Sequence, residues 1–346
     1  MKKSMIFLLF FVCFNAFAQY NLSESVRLSG FGTLSISRSD TAVPVLTYRD
    51  IKNETCYDCD TTLGLQGDWL ISDTLRSSVQ VVKRPQDHFS DPELEWAYLA
   101  YTKGDLTTKV GRQRLPFFLS SEYYYVSAAY PWARAPHNVY DNVQGMTHYD
   151  GVALEQQFWL SDQTQVKISP YLATEDKNDF ELYGQEFGFE TTTGKGLTID
   201  LYKDENQLHF SYFSATADNT RNGHLLVRRK LNLVSLGFKT IYDNFSLSVE
   251  GLYQKNLLSN WYIGLAQEQE EFSPYIQYGE GHENYKNRSY LAGVRYNVSP
   301  KVKLNLEWEY IRAPKTPANG FFSDVQLGGA IDGDSNIVSL SLSFLF

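Results

Sequence analysis

The sequence predicts a transmembrane antiparallel β-barrel, most consistent with 16 strands, whose third outer loop folds inward. Three observations carry this prediction: apolar and polar residues alternate along most of the chain, short and long connections alternate between these segments, and the last segment ends on Phe346. Segments of about ten residues with a two-residue period are typical of membrane barrels. A secreted β-sandwich has the same period, but it rarely has so many strands with aromatic residues near both strand ends.

The first 18 residues are predicted to be a secretory signal peptide. Lys2 and Lys3 precede an apolar run over residues 5–14, and Ala-Phe-Ala at residues 16–18 forms a small-residue cleavage site. The apolar run is too short to span a bilayer as a helix. We therefore expect Sec-type export and a mature chain, residues 19–346, that forms a single barrel domain.

The two-residue period marks strands from one end of the mature chain to the other. In KVKLNLEWEYIR, residues 301–312, the side chains of Leu306 and Trp308 share one face, whereas Glu307 and Glu309 share the other. The apolar face of such a strand fits lipid and the polar face fits a water-filled lumen. Further segments with this period begin at Val26, Leu63, Leu94, Val234, Phe245, Tyr290 and Val338.

The connections between these segments alternate in length. Tight polar turns are predicted at residues 72–74, 103–105, 161–163, 203–206, 242–244 and 297–300. Long connections are predicted at residues 39–60, 85–91, 114–146, 175–192, 218–228, 257–286 and 313–335. This alternation is typical of barrels with short periplasmic turns and long outer loops. The strand count is 14 if residues 257–286 form one loop and 16 if they form a hairpin about residues 268–271; we favour 16, because structureless loops of that length are uncommon.

Cys56 and Cys59 lie in the loop-like run NETCYDCD. In an oxidising compartment we favour a disulfide between them, although nearby carboxylates such as Asp58 leave a metal site as the alternative. The six histidines have no metal-ligand spacing, and neither a nucleophile elbow nor a phosphate-binding glycine loop occurs. We therefore expect neither an enzyme nor a bound cofactor. With a formal net charge of −9, the chain is not expected to bind nucleic acid.

The polar strand faces are predicted to line the lumen. A barrel of about 16 strands leaves an aqueous channel unless a loop narrows it. A near balance of basic and acidic residues on these faces predicts a weak net preference between cations and anions. The predicted pore-lining residues are Arg27, Arg76, Arg84, Lys109, Lys167, Lys239, Arg295 and Lys303 together with Asp68, Glu95, Glu155, Glu307 and Glu309.

Residues 114–146 form the predicted third outer loop, which contains the aromatic run YYYVSAAYPWARAP, residues 123–136. We expect a short helix that begins near Ser121 and ends before Pro131, with its aromatic side chains against the barrel wall. An outward loop that makes an adhesive or subunit contact is the alternative. Arg134, the first charged residue of this run, is expected to influence ion selectivity. The predicted constriction residues are Glu122, Tyr124, Tyr125, Arg134, His137 and Asp141.

Two stretches resemble known outer-membrane proteins. SLSFLF, ending at Phe346, resembles the closing strand of Gram-negative outer-membrane proteins, whose terminal aromatic residue is read by the barrel assembly machinery. The chain as a whole resembles the general porin superfamily, and GRQRLPFF (residues 111–118) with YPWARAPHNVYD (residues 130–141) is similar to gammaproteobacterial porin-like proteins. This resemblance implies an inward-folded third loop that forms the constriction and a homotrimer in contact with lipid and lipopolysaccharide. The loop lacks the acidic, glycine-bearing tip typical of general porins, so the resemblance does not define its selectivity.

These features together predict an outer-membrane porin through which small hydrophilic solutes and ions diffuse passively. A substrate-specific channel for a sugar or an anion is the alternative, because aromatic side chains in a constriction could stack against sugars. A barrel enzyme or an adhesin is less favoured. The sequence does not identify the transported solute.

Overall fold

The computed structural model describes residues 20–42, 44–46, 49, 51–84, 92–143, 146–182, 185–283, 286–313 and 334–346. The predicted signal peptide lies outside the described residues, as do residues 85–91 and residues 314–333 of two predicted outer loops. Among the described residues, no helix is both long and apolar enough to cross a bilayer.

A single antiparallel sheet of 19 strands makes up most of the described chain. Its strands are β1 (Tyr20–Asn21), β2 (Val26–Ser39), β3 (Thr62–Leu70), β4 (Leu75–Lys83), β5 (Glu93–Lys103), β6 (Leu106–Arg114), β7 (His148–Ser161), β8 (Thr164–Ala173), β9 (Asp176–Leu182), β10 (Gln185–Thr191), β11 (Gly194–Lys203), β12 (Asn206–Arg221), β13 (His224–Tyr242), β14 (Phe245–Gln254), β15 (Leu258–Gln267), β16 (Phe272–Glu283), β17 (Asn287–Ser299), β18 (Val302–Arg312) and β19 (Asp334–Leu345).

The sheet closes into a barrel because β19 pairs with β2 from Ile337 opposite Ser39 to Leu345 opposite Phe31. The two-residue β1 and the outer hairpin of β9 and β10 lie outside the wall, so 16 strands enclose the lumen. Residues 257–286 supply the hairpin of β15 and β16. The prediction of a 16-stranded antiparallel barrel is therefore confirmed.

The two faces of the wall differ as the alternation predicted. On β19, the side chains of Ser339 and Ser341 are buried inside the barrel. Val338 of the same strand is 51% exposed on the outside. Leu306 and Trp308 on β18 are exposed on the outside in the same way. An outer surface rich in exposed apolar side chains fits a bilayer, because the hydrocarbon of the lipid surrounds these side chains in place of a protein core.

The connections agree with the sequence prediction in most places. Five of the six predicted tight turns join consecutive strands where expected, and the sixth lies at residues 300–301, just after its predicted position. Residues 218–228 are not a long loop: β12 and β13 continue through them and meet at Asn222 and Gly223, whose φ angles are 47° and 75°. Positive φ at both positions is the requirement of a tight type I′ hairpin turn. Residues 175–192 contain the hairpin of β9 and β10, and β10 also pairs with the outer part of β12.

The seam of the barrel, where β19 pairs with β2, depends on two glycines of β2, Gly30 and Gly32. The backbone groups of Phe346 and Gly30 exchange hydrogen bonds of 2.9 and 2.8 Å. The rings of Phe346 and Phe344 occupy the space that a Cβ would take at Gly30 and Gly32. Small residues on β2 therefore let the aromatic residues of β19 lie flat across the closing strand pair.

Loop 3, residues 115–147, folds into the barrel and supplies much of its apolar core. Phe117, Trp132 and Tyr140 of this loop are buried against inward-facing wall residues such as Phe213 and Tyr275. Because these wall residues point into the barrel, the loop that covers them lies inside it. The prediction of an inward-folded third loop is confirmed.

Candidate constriction and lumen

The segment predicted as one helix between Ser121 and Pro131 is instead two 3-10 turns, Ser121–Tyr123 and Ser127–Ala129. Val126 separates them with φ and ψ of −97° and 81°, outside the helical region. Aromatic, β-branched and serine residues have modest helix propensity, so tertiary contacts decide the backbone here. The hydroxyl of Ser121 accepts a hydrogen bond from the Phe118 N–H instead of capping a helix.

A buried carboxylate on β14, that of Glu250, fixes the beginning and the end of loop 3. One of its oxygens accepts a 2.6 Å hydrogen bond from the Leu119 N–H, and the other accepts bonds of 2.7 Å from the Tyr140 and Tyr262 hydroxyls. Three donors therefore find a partner in one buried carboxyl group. Glu250 thus joins two distant parts of the loop to one point of the wall.

The middle of the loop is held through its backbone. The Ala133 N–H donates to Glu307 at 2.7 Å, and the side-chain amide of Asn305 donates to the Pro131 carbonyl at 2.8 Å. On β17, the guanidinium of Arg295 donates to the Ser127 carbonyl at 3.0 Å. These wall side chains satisfy peptide groups that an irregular buried segment would otherwise leave without partners.

Inward-facing glycines make room for the bulkier side chains of the loop. A Cβ at Gly264 on β15 would lie 2.5 Å from the ring of Trp132, and a Cβ at Gly279 on β16 would overlap the Asn138 amide. Asn138 is fully buried, and its side chain donates to Asn287 at 2.9 Å and accepts from Ser289 at 2.7 Å. The wall is therefore shaped to the loop, and the loop lies directly on it.

Arg134 lies between loop 3 and the wall and is only 5% exposed. Its guanidinium is 3.3 Å from Asp60, 3.8 Å from Glu307 and 3.9 Å from Glu309, and it also donates to Ser339. Burial lowers the pKa of Arg134, but these three carboxylates outweigh that effect and the pKa lies above its usual range. The structure thus places Arg134 in a buried ion cluster and not, as we expected, at the surface of the passage.

Four other predicted constriction residues also make contacts within the fold and do not line the passage. His137 lies 2.6 Å from a Glu309 oxygen, and the Tyr124 hydroxyl donates to Asp141 at 3.0 Å. Burial, followed by the charge of Asp141, raises the pKa of Tyr124 well above its ordinary value. Tyr125 is buried beneath the guanidinium of Arg114, 5.1 Å from its ring centre.

Loop 1, residues 40–61, also enters the outer end of the barrel, which the sequence did not predict. Its side chains Val45, Leu46 and Ile51 are fully buried in a cluster with Ile311 and Ile337 of the wall. An apolar stretch inside a long predicted loop was the available signal. Cys56 and Cys59 are joined by a disulfide at the edge of this cluster.

An arginine joins the two inward loops. Arg49 of loop 1 pairs with Asp60 at 2.7 Å and with Asp141 of loop 3 at 2.8 Å, and it is itself buried. Burial raises the pKa of Asp60, but the charges of Arg134 and Arg49 oppose this effect and the net pKa is lower than usual. Loops 1 and 3 therefore form one charged contact across the outer end of the barrel.

A cavity of about 860 Å³ remains between loop 3 and the wall of β2 to β8 and β11. Six of the thirteen predicted pore-lining residues border it: Arg27, Arg76, Lys109, Lys167, Asp68 and Glu155. The other seven lie elsewhere. Four of them are beside loop 3, namely Arg295, Lys303, Glu307 and Glu309. Arg84 and Glu95 form a buried pair at 2.9 Å near the outer ends of β4 and β5. Lys239 on β13 is not among the residues that border the cavity.

The cavity wall carries close ion pairs. Lys109 on β6 is 2.6 Å from Glu155, and Lys167 on β8 is 3.4 Å from Asp200 on β11. From loop 3, Glu122 and Tyr123 face the same space, and Tyr123 is 54% exposed. Tyr123 was expected to pack against the wall, but it is its neighbours that do so: Tyr124 is partly buried and Tyr125 is buried.

Arg114 at the end of β6 was not among the predicted site residues. Its guanidinium lies 5.8 Å from the ring centre of Trp96, on the opposite strand β5, and pairs with Glu95 at 2.6 Å. Arg84 pairs with the same carboxylate, so two arginines share Glu95. The run of arginines in GRQR was visible in the sequence, but only the strand pairing brings them to one glutamate.

Solved porin structures are similar to this fold. The chain aligns with OmpF of Salmonella typhi, in its complex with daunomycin, at a TM-score of 0.62 and 10% identity, covering 93% of this chain and 97% of that one. An anion-selective porin from Comamonas acidovorans aligns at 0.56 and 12% identity, covering 93% and 99%. A mutant porin of Rhodopseudomonas blastica aligns at 0.55 and 13% identity, covering 93% and 100%. No family model and no curated protein matches the chain; the similarity shows that it has the porin fold.

Proposed function

We propose that this protein is a passive diffusion channel of the Gram-negative outer membrane for small hydrophilic solutes and ions. The observation that carries the proposal is the placement of loop 3, which is bonded along the inner wall of a 16-stranded barrel and leaves a charged cavity of about 860 Å³ on one side. A polar lumen inside an apolar outer surface is the arrangement of a membrane channel. A loop that reduces the width of the lumen limits the size of the solutes that can pass.

Glu122 and Tyr123 are the loop residues proposed to form the narrow part of the passage. They border the cavity opposite a wall that carries Lys109, Glu155 and Lys167. Arg134, His137 and the other buried loop residues would then act on conduction only by holding the loop in place. Selectivity is thereby assigned to the exposed loop residues.

The charges that border the cavity are balanced. Rings of one charge select ions strongly, whereas a mixed wall gives little net preference. We therefore propose weak selectivity between small cations and anions. The basic residues are Arg27, Arg76, Lys109, Arg114 and Lys167, and the acidic residues are Glu24, Asp68, Glu122, Glu155 and Asp200.

Export, location and assembly complete the proposal. Residues 1–18 would be removed as a Sec signal peptide, leaving residues 19–346 as the barrel domain in the outer membrane, in contact with lipid and lipopolysaccharide. The aromatic end of β19, closed onto Gly30 through Phe346, would be the segment that the barrel assembly machinery reads. A homotrimer is the proposed assembly, and chemical crosslinking of the native membrane would detect it.

Recording from the purified protein in planar bilayers tests the channel function. We expect stepwise currents, and replacement of the exposed Tyr123 by alanine should increase the single-channel conductance by widening the passage. Tyr242→Ala, at an exposed tyrosine of a periplasmic turn, is the matched control and should leave the conductance unchanged. A protein that inserts as a folded barrel yet passes no current at any voltage contradicts the proposed function.

A further inference from the structure

Loop 1 carries a group of metal-ligating atoms that the proposed channel function does not use. Cys56 and Cys59 have two residues between them, a spacing that suits a disulfide and is also that of many zinc sites. The Asp58 carboxylate completes the group, because one of its oxygens and the two Sγ atoms all lie within 4.8 Å of one another. The disulfide of this structure and a metal site therefore draw on the same side chains.

The backbone around these three side chains is held by contacts other than the disulfide. Cys56 exchanges two backbone hydrogen bonds of 2.9 Å with Ser37 on β2. The Cys59 side chain is fully buried in the apolar cluster that loop 1 forms with the wall. Between the two cysteines, the Asp58 carbonyl accepts a 3.0 Å hydrogen bond from the Thr61 N–H, which closes a turn. Reduction of the disulfide thus leaves the three ligand side chains next to one another.

The surroundings of the two sulfur atoms favour a cation. An Asp58 oxygen lies 3.2 Å from the Cys56 sulfur, and the Cys59 N–H donates to the same sulfur at 3.0 Å. Hydrogen bonds of this second kind orient metal ligands from outside the coordination sphere. Asp58 is exposed and Cys56 is partly exposed, so an ion reaches the group from the solution at the outer end of the barrel. Two thiolates and one carboxylate attract a divalent cation strongly.

We propose that loop 1, once its disulfide is reduced, binds one thiophilic divalent cation of the zinc and cadmium class through Cys56, Cys59 and Asp58. In the reduction a small dithiol supplies two electrons and two protons, the bond between the two sulfurs breaks and two thiols form, and the dithiol is oxidised to a disulfide. Binding of the cation then releases the two thiol protons to water. Water takes the fourth position of a tetrahedral site.

The cation replaces the disulfide as the link within loop 1. Metal–sulfur bonds of about 2.3 Å place two sulfurs of a tetrahedral zinc site about 3.8 Å apart, farther than in a disulfide. The Cα atoms of Cys56 and Cys59 are 5.8 Å apart, so rotation of the two side chains supplies this separation. Asp60, the next residue, then keeps its place between Arg49 and Arg134. The inference concerns loop 1 alone and does not depend on conduction through the barrel.

Cadmium titration of the purified mature barrel in detergent tests this inference. The protein is reduced with dithiothreitol, freed of it by gel filtration under nitrogen, and checked for two free thiols per chain. The third cysteine of the sequence, Cys13, lies in the predicted signal peptide and does not contribute to the mature protein. We expect one cadmium ion per reduced chain, with the ultraviolet absorption of cadmium–thiolate bonds, and no such absorption from the oxidised chain.

Three variants assign the ligands. Outer partners alone change metal affinity about 10- to 100-fold, so loss of a direct ligand in Asp58→Asn should weaken cadmium binding at least about tenfold. Glu54→Gln, at an exposed carboxylate outside the group, is the matched control and should leave the affinity unchanged. Cys59→Ser keeps one thiol without any reduction and should bind cadmium more weakly than the reduced parent protein.

Each result supports or overturns the site. A disulfide that dithiothreitol does not reduce in the folded barrel, or a reduced chain that binds no more cadmium than the oxidised chain, overturns it. Equal cadmium affinities of Asp58→Asn and the reduced parent protein also overturn a site of three ligands. Heat-modifiable migration on gels establishes that each variant is folded. Single-channel currents are a separate measurement, so a failure of the channel function and a failure of this inference are distinguishable.

Discussion

The Tyr140 hydroxyl donates a 2.7 Å hydrogen bond to the carboxylate of Glu250, and this contact joins the short helix α1 (His137–Tyr140) of loop 3 to β14 of the wall. Both side chains are buried inside the barrel. The same carboxylate accepts the Leu119 N–H, so one wall residue holds two parts of the loop that are about twenty residues apart. A single substitution at this point should therefore loosen the whole constriction.

Glu250→Ala removes the acceptor of three hydrogen bonds and leaves their donors buried. Each unsatisfied buried group costs about 1 to 3 kcal/mol, so we expect a lower unfolding midpoint in a urea titration of the barrel. A loosened loop should also increase current noise and mean conductance in planar bilayers. Tyr262→Phe deletes only one of the three bonds and should have a smaller effect, about 1 kcal/mol. Equal stability of Glu250→Ala and the parent protein would mean that loop 3 is held by other contacts.

The seam of the barrel gives a prediction about folding. Gly32→Val places a branched side chain where the Phe344 ring lies, so the ring must move and we expect a loss of about 1 to 3 kcal/mol, as for an overpacked core. Gly67→Ala on the neighbouring strand β3 is the control, because nothing lies within 4 Å of a Cβ there. Thermal unfolding followed by gel migration measures both. The prediction fails if the two variants unfold at the same temperature.

Arg134 and Glu122 should differ in what they control. Arg134→Glu adds a carboxylate beside Asp60, Glu307 and Glu309, and disruption of a buried ion pair costs about 3 to 5 kcal/mol, so we expect a large loss of stability. Glu122→Gln changes an exposed side chain and should shift the reversal potential in a salt gradient towards anions at unchanged stability. If Arg134→Glu is stable and shifts the reversal potential more than Glu122→Gln does, Arg134 borders the passage and the prediction is wrong.

The stability of the contact between loops 1 and 3 should depend on pH. The net pKa of Asp60 is lowered in the fold, despite burial, by Arg134 and Arg49. A carboxyl group with a lowered folded pKa stabilises the fold above its unfolded pKa of about 3.9, and this stabilisation is lost as the pH falls through the folded pKa. We therefore expect currents that are constant from pH 7 down to about pH 4 and that rise or become noisy in more acid solution.

Asp60→Asn should give at pH 7 the current behaviour that the parent protein shows in acid, because it removes the same charge. Asp58→Asn, at an exposed carboxylate two residues away, is the matched control. If Asp60→Asn conducts like the parent at neutral pH, the contact that Arg49 makes between the loops does not limit conduction.

Local sequence patterns predicted the wall better than the loops. Alternation along β18 identified both faces of the strand, because side-chain direction in a strand has a fixed period of two. The Asn222-Gly223 pair was a sequence signal for the tight turn between β12 and β13, but that segment was interpreted as a long loop. The helix expected after Ser121 was wrong because the tyrosines there find partners in different parts of the barrel, and these contacts outweigh weak helix propensity.

The sequence by itself predicted a 16-stranded barrel and which faces of its strands meet lipid, because the strand period is a local property of the chain. It predicted that loop 3 enters the lumen but not that loop 1 does. Only the tertiary structure decided which charges remain free. Arg134 and Glu122 are both charged residues of loop 3, yet the first is buried against Asp60 and the second faces the cavity. Their difference depends on partners far away in the sequence, which strand pairing and loop packing bring together.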